Sequence, residues 1–337
     1  MKQRHIIILR FSAIGDIAIA APLVRAYAKA NPDIRFTMVS VKLLEPLFVG
    51  IPNLNFKEVN FKDENHTFRH VIQVAKEILA LNPTEIADIH DVLRTKVIRT
   101  YLKINGIKNV AINKNRAQRK KFINPHNSKR VALMPMQKRY EEVFVRLGLK
   151  NLHFNSQPVP QRDFSKYKYH RIGIAPFAKH KGKSWSTDSM EEVIKTLSQD
   201  PSNLLYFFGA KGEEAKLLQE WQKKYKNCET IAGHYTMSEE LDFIKSLDLM
   251  ISMDSANMHL ASYVHTPVIS IWGATHPDAG FYGWGQDRKN AIQIDDLDCR
   301  PCSIYGDKEC ARGDYACLER ITPEMVIDRI HAFFEKK

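Results

Sequence analysis

The sequence predicts an α/β protein made of two Rossmann-like, doubly wound parallel sheets facing a central cleft. Three observations point there. Short apolar, β-branched runs alternate with stretches of helical apolar spacing, the pattern of βαβ units. That pattern breaks at a proline-containing stretch and then restarts. The 337 residues are enough for two such domains. Hydrophobic residues make up 44% and charged residues 26%, which excludes a disordered or collagen-like chain. No run of about 18 uncharged apolar residues occurs, so no membrane-spanning helix is expected.

His5–Phe11 reads as a first parallel strand covered on both faces. Positive charge at Met1–His5 before Ile6–Leu9 imitates an export signal, but Arg10 and Asp16 interrupt the apolar stretch. Ser12–Asp16 is a turn, Ile17–Ala30 a helix and Arg35–Ser40 a strand, which completes one right-handed βαβ unit. Next come helices at Thr67–Leu81, Val92–Ile104 and near Gln137–Leu147, with strands at Glu85–His90 and Asn109–Ile112. Asn155–Tyr169 carries Pro158 and Pro160 and no hydrophobic period, so it reads as the linker.

Beyond the linker, strands are expected at Arg171–Pro176, Asn203–Phe208, Glu229–Ile231, Leu249–Ser252 and Pro267–Trp272. Helices are expected at Ser189–Leu197, Glu213–Lys224, Met237–Ser246 and Asn257–Val264. Pro323–Phe334 is a closing helix with proline in its first turn. The predicted division is residues 1–160, residues 161–322, and a C-terminal helix over 323–337 crossing back to the first domain.

In doubly wound sheets ligands bind beyond the carboxyl ends of the strands, so the loops there are the candidate sites. The first holds Gly15 and Asp16 but not G-x-G-x-x-G, which disfavours NAD or FAD, and no Walker loop occurs anywhere. By position Asp16 suits a helix N-cap first, with a general base kept ionised by the helix start as the other reading. Lys179, His180, Lys181 and Lys183, followed by Ser184–Thr187 before a helix, form an anion site or a solvated basic loop. Glu213 and Glu214 fit a ribose contact or the acidic first turn of a helix.

Asp254, Ser255, Ala256, Asn257 and His259 lead straight into a helix whose first amides can meet a phosphate. There the Ser255 hydroxyl adds a donor, and His259 is either a ligand contact or a packed core histidine.

Leu9–Ile17, read LRFSAIGDI, resembles the opening of the ADP-heptose:lipopolysaccharide heptosyltransferases, glycosyltransferase family nine. Ser252–Ala261, Thr266–Thr275, Lys183-Ser-Trp185 and Thr236-Met-Ser238 resemble further elements of that family in its order, from about Ile6 to Val326. The resemblance implies a GT-B fold, an acceptor domain first and a nucleotide-sugar domain second, and inverting transfer that requires no metal or other cofactor. It makes Asp16 the base and sets Lys183 (or Lys181) at the donor phosphates with Asp254, Ser255, Ala256, Asn257 and His259. Glu213 (or Glu214) then holds the ribose, and Met237 packs on adenine. Ala256 stands where the family usually has glycine, which narrows the backbone approach. An ADP-sugar donor and a lipopolysaccharide core or related glycan acceptor are the implied partners.

The alternatives are another nucleotide sugar, a GT-B sugar-nucleotide epimerase, or a basic nucleic-acid-binding protein. The last is disfavoured, because only Phe122 is interleaved as a stacking aromatic and no nucleic-acid module is visible.

Lysine and arginine total 50 against 38 acids, a net charge of +12. From Lys108 to Arg130 there are eight basic residues and no acid. Arg116, Arg119 and Lys120 of this run, together with Ser12, His90 and Arg94, are expected acceptor contacts, and the run also fits an anionic inner-membrane surface. Cys299, Cys302, Cys310 and Cys317 read as reduced structural thiols, with a tetrahedral zinc site second and disulfides third. Five cysteines in a chain this long agree with a reducing compartment, so a cytoplasmic protein peripheral to the inner membrane is expected.

Overall fold

The computed structural model describes residues 3–61, 67–125, 130–155, 157–160, 163–164 and 167–335. The chain divides into two compact units. The first comprises Met1–Asn115 and Met134–Asn155, the second Arg116–Leu133 and Ser156–Lys337.

In the first unit β1 (His5–Leu9) leads into α1 (Ile14–Ala30), followed by β2 (Arg35–Ser40) and β3 (Leu54–Glu58). Then come α2 (Phe68–Ala80), β4 (Glu85–Asp88), α3 (Leu93–Ile104) and β5 (Lys108–Ala111). After α4 (Arg116–Phe122), which belongs to the second unit, α5 (Met136–Arg146) returns to the first. The sheet order is β3-β2-β1-β4-β5, all parallel. Every residue of β1 is buried, as a central parallel strand covered on both faces requires. The order reverses between β1 and β4, whose residues Leu9 and Asp88 are in register. The loops leaving those two strands therefore flank the place where such a sheet takes its ligand.

The second unit contains β6 (His170–Ala175), α6 (Thr187–Leu197), β7 (Asn203–Phe207), α7 (Glu213–Lys224), β8 (Cys228–Thr230) and α8 (Met237–Lys245). These are followed by β9 (Leu249–Met253), α9 (Ala256–Tyr263), β10 (Val268–Ile271), β11 (Ala291–Ile292), α10 (Ala316–Glu319) and α11 (Pro323–Phe334). The order is β11-β10-β9-β6-β7-β8, again all parallel. Here the reversal lies between β6 and β9, with Ala175 beside Ser252. Ile172, Ile174, Leu205, Phe207, Leu249 and Ile251 fill the core beneath α6 and α7. Trp185 closes it, donating its indole N–H to the Ile321 carbonyl at 3.0 Å.

Three features depart from the sequence expectation. The basic helix α4 belongs to the second unit, because Phe122 joins Leu133, Ala279 and Ile304 in a small apolar cluster there. Residues 126–129 of that basic stretch, and 156, 161–162 and 165–166 of the linker, lie outside the described residues. The closing helix α11 is also part of the second unit: Phe333 and Phe334 pack on Phe164, and Ile330 lies in the core. Finally, α1 begins at Ile14 rather than Ile17, which moves Asp16 inside the helix.

Candidate active site

In the first unit the site is built where β1 and β4 diverge. The N-cap of α1 is Ala13, with no side-chain cap, so Asp16 is the third helical residue and not the cap. Its carboxylate is instead held by Arg10, Nη2 to Oδ2 at 2.7 Å. Arg10 is buried, donates to the Ile89 carbonyl at 2.6 Å, and lies over the Tyr140 ring. A guanidinium fixed on two sides in this way aims one carboxylate oxygen. The Asp16 side chain keeps 22% of its surface accessible, so a reactant can still reach it.

His90 braces the same turn. The Phe11 amide donates to its Nδ1 at 3.3 Å, so the ring hydrogen sits on Nε2, which lies 3.5 Å from the Ser12 hydroxyl oxygen. Asp88 caps the loop by accepting from the amides of His90 and Asp91. Arg94 stacks on Phe61, and Lys114 donates to the Asp91 carbonyl at 2.8 Å. At the carboxyl ends of β1 and β4, Ser12 thus meets His90, Asp16 is held by Arg10, and Arg94 lies near enough to His90 to act on its charge.

In the second unit the loop after β6 is tied to itself by the Ser184 hydroxyl, which reaches the carbonyls of Ala178 and His180 at 3.1 Å each. The loop thereby delivers Lys183 to Asp254 at the end of β9, Nζ to Oδ2 at 2.8 Å. Asp254 is buried, and the Thr275 hydroxyl also donates to its Oδ2 at 2.8 Å. This ion pair spans the reversal between β6 and β9. Immediately beyond it Ser255 caps α9 in position only: its hydroxyl lies 3.2 Å from that of Ser252 and makes no cap bond. The first amides of α9, from Ala256, Asn257 and Met258, are therefore not claimed by a capping side chain. An ammonium group beside a helix start is a fitting arrangement for a diphosphate.

A model of the family described as Glycosyltransferase family 9 (heptosyltransferase) matches residues 105–311, more than half of the chain. The chain belongs to glycosyltransferase family 9. Lipopolysaccharide heptosyltransferase 3 of Escherichia coli K12 is 33% identical over 132 residues, 38% of this chain and 36% of that protein. The chain spans between about a third and a half of the length of the first curated relatives it matches. A solved family 9 glycosyltransferase from Veillonella parvula DSM 2008 aligns with a TM-score of 0.74 at 16% identity. It covers 99% of this chain and 98% of its own. The E. coli heptosyltransferase WaaC, solved with ADP, aligns with a TM-score of 0.66 at 14% identity over 98% and 99%. These likenesses show the fold, two parallel-sheet α/β units of the GT-B class.

Within this family 9 chain the structure sorts residues of one type that sequence alone leaves equivalent. Lys181 lies over the Tyr315 ring, 4.6 Å from its centroid, whereas Lys183 takes Asp254. Glu213 points to solvent and pairs with Lys216, while Glu214 turns back to accept the Ala210 amide at 2.7 Å. Met237 is buried at the start of α8, behind a Thr236–Glu239 capping box. His259 is buried within α9.

Arg116 and Lys120 are exposed on α4, but Arg119 is buried, bonded to the Tyr305 hydroxyl and stacked near Phe281. All five cysteines are free thiols, which removes the disulfide reading. Among the described residues no group of three or more His, Cys, Asp or Glu side chains is set to hold a metal ion.

The roles of two structural residues are not evident from the sequence. Arg300 is buried and binds the carbonyls of Gly273, Thr275 and Ile294. Arg10 was visible only as an interruption of an apolar stretch.

His90 has a measurable consequence. Burial first, then Arg10, Lys114 and Arg94, push its pKa down to about 3. The unfolded chain takes up this proton near pH 6.5. The stability tied to the neutral ring is therefore complete above about pH 6.5 and is lost as the pH falls towards 3. Urea unfolding across that range should show a shallower loss of stability in His90→Gln than in the wild type, and equal slopes would contradict this account of the ring.

Proposed function

We propose that this family 9 chain transfers heptose from an ADP-sugar to a lipopolysaccharide core or related glycan, with inversion and without a metal ion. The observation that carries the proposal is the Lys183–Asp254 pair at the start of α9. It holds an ammonium group next to the first amides of α9, an arrangement suited to a leaving diphosphate. Departure of ADP places negative charge on the leaving phosphate, and fixed donors that meet charge as it develops lower the barrier directly. Family membership supports this reading, as do the names of the relatives that act on lipopolysaccharide and the solved relative holding ADP.

In the proposed reaction the acceptor hydroxyl gives its proton to Asp16 while its oxygen attacks the anomeric carbon. Attack comes from the face opposite the diphosphate, so the bond to ADP breaks and the configuration inverts. Arg10 keeps the carboxylate in place. Arg94 and Lys114 add positive charge for phosphate or carboxylate groups of the acceptor, with Ser12 and His90 shaping the turn. On the donor side, Ser255, Ala256 and Asn257 meet the diphosphate beside Lys183. Met237 borders the adenine, and Glu213 or Glu214 meets the ribose.

Asp16→Asn should retain ADP affinity and lose about 10²- to 10⁴-fold in turnover, the usual worth of a general base. Near-normal turnover would remove Asp16 from the chemistry. Incubating the wild type with ADP-heptose alone and with acceptor separates transfer from epimerisation, since transfer releases ADP only when acceptor is present.

The acceptor class is amphiphilic, and α4 exposes Arg116, Lys120 and Lys121. No helix among the described residues is long and apolar enough to cross a membrane. The exposed basic face of α4 supports a proposed location at the anionic cytoplasmic face of the inner membrane, with each basic residue worth about 1 kcal/mol near such a surface. Vesicles containing anionic lipid should bind the protein at low salt and release it as ionic strength rises. Binding indifferent to both lipid charge and salt would contradict the peripheral assignment.

A further inference from the structure

We propose that Thr275 is a positioning residue, held by Arg300, that fixes the Asp254 carboxylate and through it aims Lys183 at the donor diphosphate. The inference rests on the donor reading given above.

Three linked contacts carry it. The Thr275 hydroxyl and the Lys183 ammonium meet the same oxygen, Asp254 Oδ2, at 2.8 Å each. Thr275 is 1% exposed, so its hydroxyl has no bulk water to turn to. Its own carbonyl accepts from Arg300 Nη2 at 2.9 Å, while Arg300 Nε and Nη1 take the carbonyls of Gly273 and Ile294. A buried guanidinium with three carbonyls in a fixed fork is a rigid clamp on the loop after β10.

The same loop grips the lysine loop directly. The Ala274 amide donates to the Gly182 carbonyl at 2.7 Å. A Cβ on Gly273 would come within 2.5 Å of that carbonyl oxygen, so the two backbones approach as closely as glycine permits. The Lys183 stem then runs over Gly306, where a Cβ would lie 2.6 Å from Lys183 Cγ. Backbone contact thus sets where the lysine starts, and the hydroxyl-held carboxylate sets where its ammonium ends.

A lysine ammonium is a point charge on a flexible stem. If Asp254 were free to rotate, Lys183 would sample several positions. With one carboxylate oxygen pinned by Thr275, one Lys183 hydrogen is committed to Asp254, and the other two are directed away from it.

The test is ADP binding measured by calorimetry on the full chain, in the wild type, Lys183→Met, Thr275→Val, Thr275→Ser and the Lys183→Met/Thr275→Val double variant. Thr275→Val keeps the shape and removes the hydroxyl. It should weaken ADP binding about tenfold, as loss of a hydrogen bond to a charged group does, and Thr275→Ser should restore affinity to within about twofold. Thr275→Ala replaces Thr275→Val if urea unfolding shows that the valine variant does not fold.

In the Lys183→Met background the Thr275 change should cost less than about twofold, because the group it aims is gone. An equal cost in both backgrounds, or no cost in either, would overturn the positioning role. If Lys183→Met itself binds ADP as tightly as the wild type, it is the donor reading that fails.

Discussion

The ion pair between Lys183 and Asp254 is the constraint on which the proposed donor side depends. Placing a carboxylate beside a site for a diphosphate looks counterproductive, since the two anions repel. The geometry resolves this. Asp254 is buried and bound by both Lys183 and Thr275, so its charge is matched locally. Removing one partner of such a pair is far more damaging than replacing both, at about 3–5 kcal/mol. The pair adds little net charge at long range but fixes the direction of an ammonium group. In the proposed donor site the remaining attraction for phosphate would come from the amides of α9 and the other cations of the lysine loop. Long-range attraction by the loop cations is thus separate from the fixed donors, Lys183 and the α9 amides, that can meet charge as it develops.

The first unit applies the same logic with the signs exchanged. There the proposed base is a carboxylate, Asp16, and the group that fixes it is a buried guanidinium, Arg10. In both units the fixing residue lies deeper than the residue it holds. In both, the pair sits where the strand order of a parallel sheet reverses, between β1 and β4 and between β6 and β9. Strands diverge there, their carboxyl-end loops part, and side chains can be presented without crowding. His90 adds a neutral ring that braces the turn before Asp16, and its neutrality follows from burial among cations.

Much of this architecture was legible in the sequence because buried parallel strands need uninterrupted apolar runs and their helices need an amphipathic period. β1, β2, β4, β6, β7, β9 and β10 and the helices between them follow from that rule. β3 and β11 did not stand out: β3 carries exposed Asn55 and Glu58 at a sheet edge, and β11 has only two residues. Helix α4 was hidden because RAQRKKF has a basic run and almost no apolar period. The candidate site was legible by residue type but not by partner. Whether Asp16 caps a helix or answers to Arg10, and which lysine meets Asp254, depends on chain segments that only the fold brings together. The aromatic that claims Lys181 and the arginine that clamps Thr275 both come from the region after β11, where no strand pattern guides the eye.

The most direct test of the account is a crystal structure of the protein with ADP. The account predicts the diphosphate against the amides of Ala256–Met258, with Lys183 Nζ within hydrogen-bonding distance of a phosphate oxygen and Asp254 still bonded to Lys183. A diphosphate bound elsewhere, or one bound at α9 with Lys183 turned away, would contradict it.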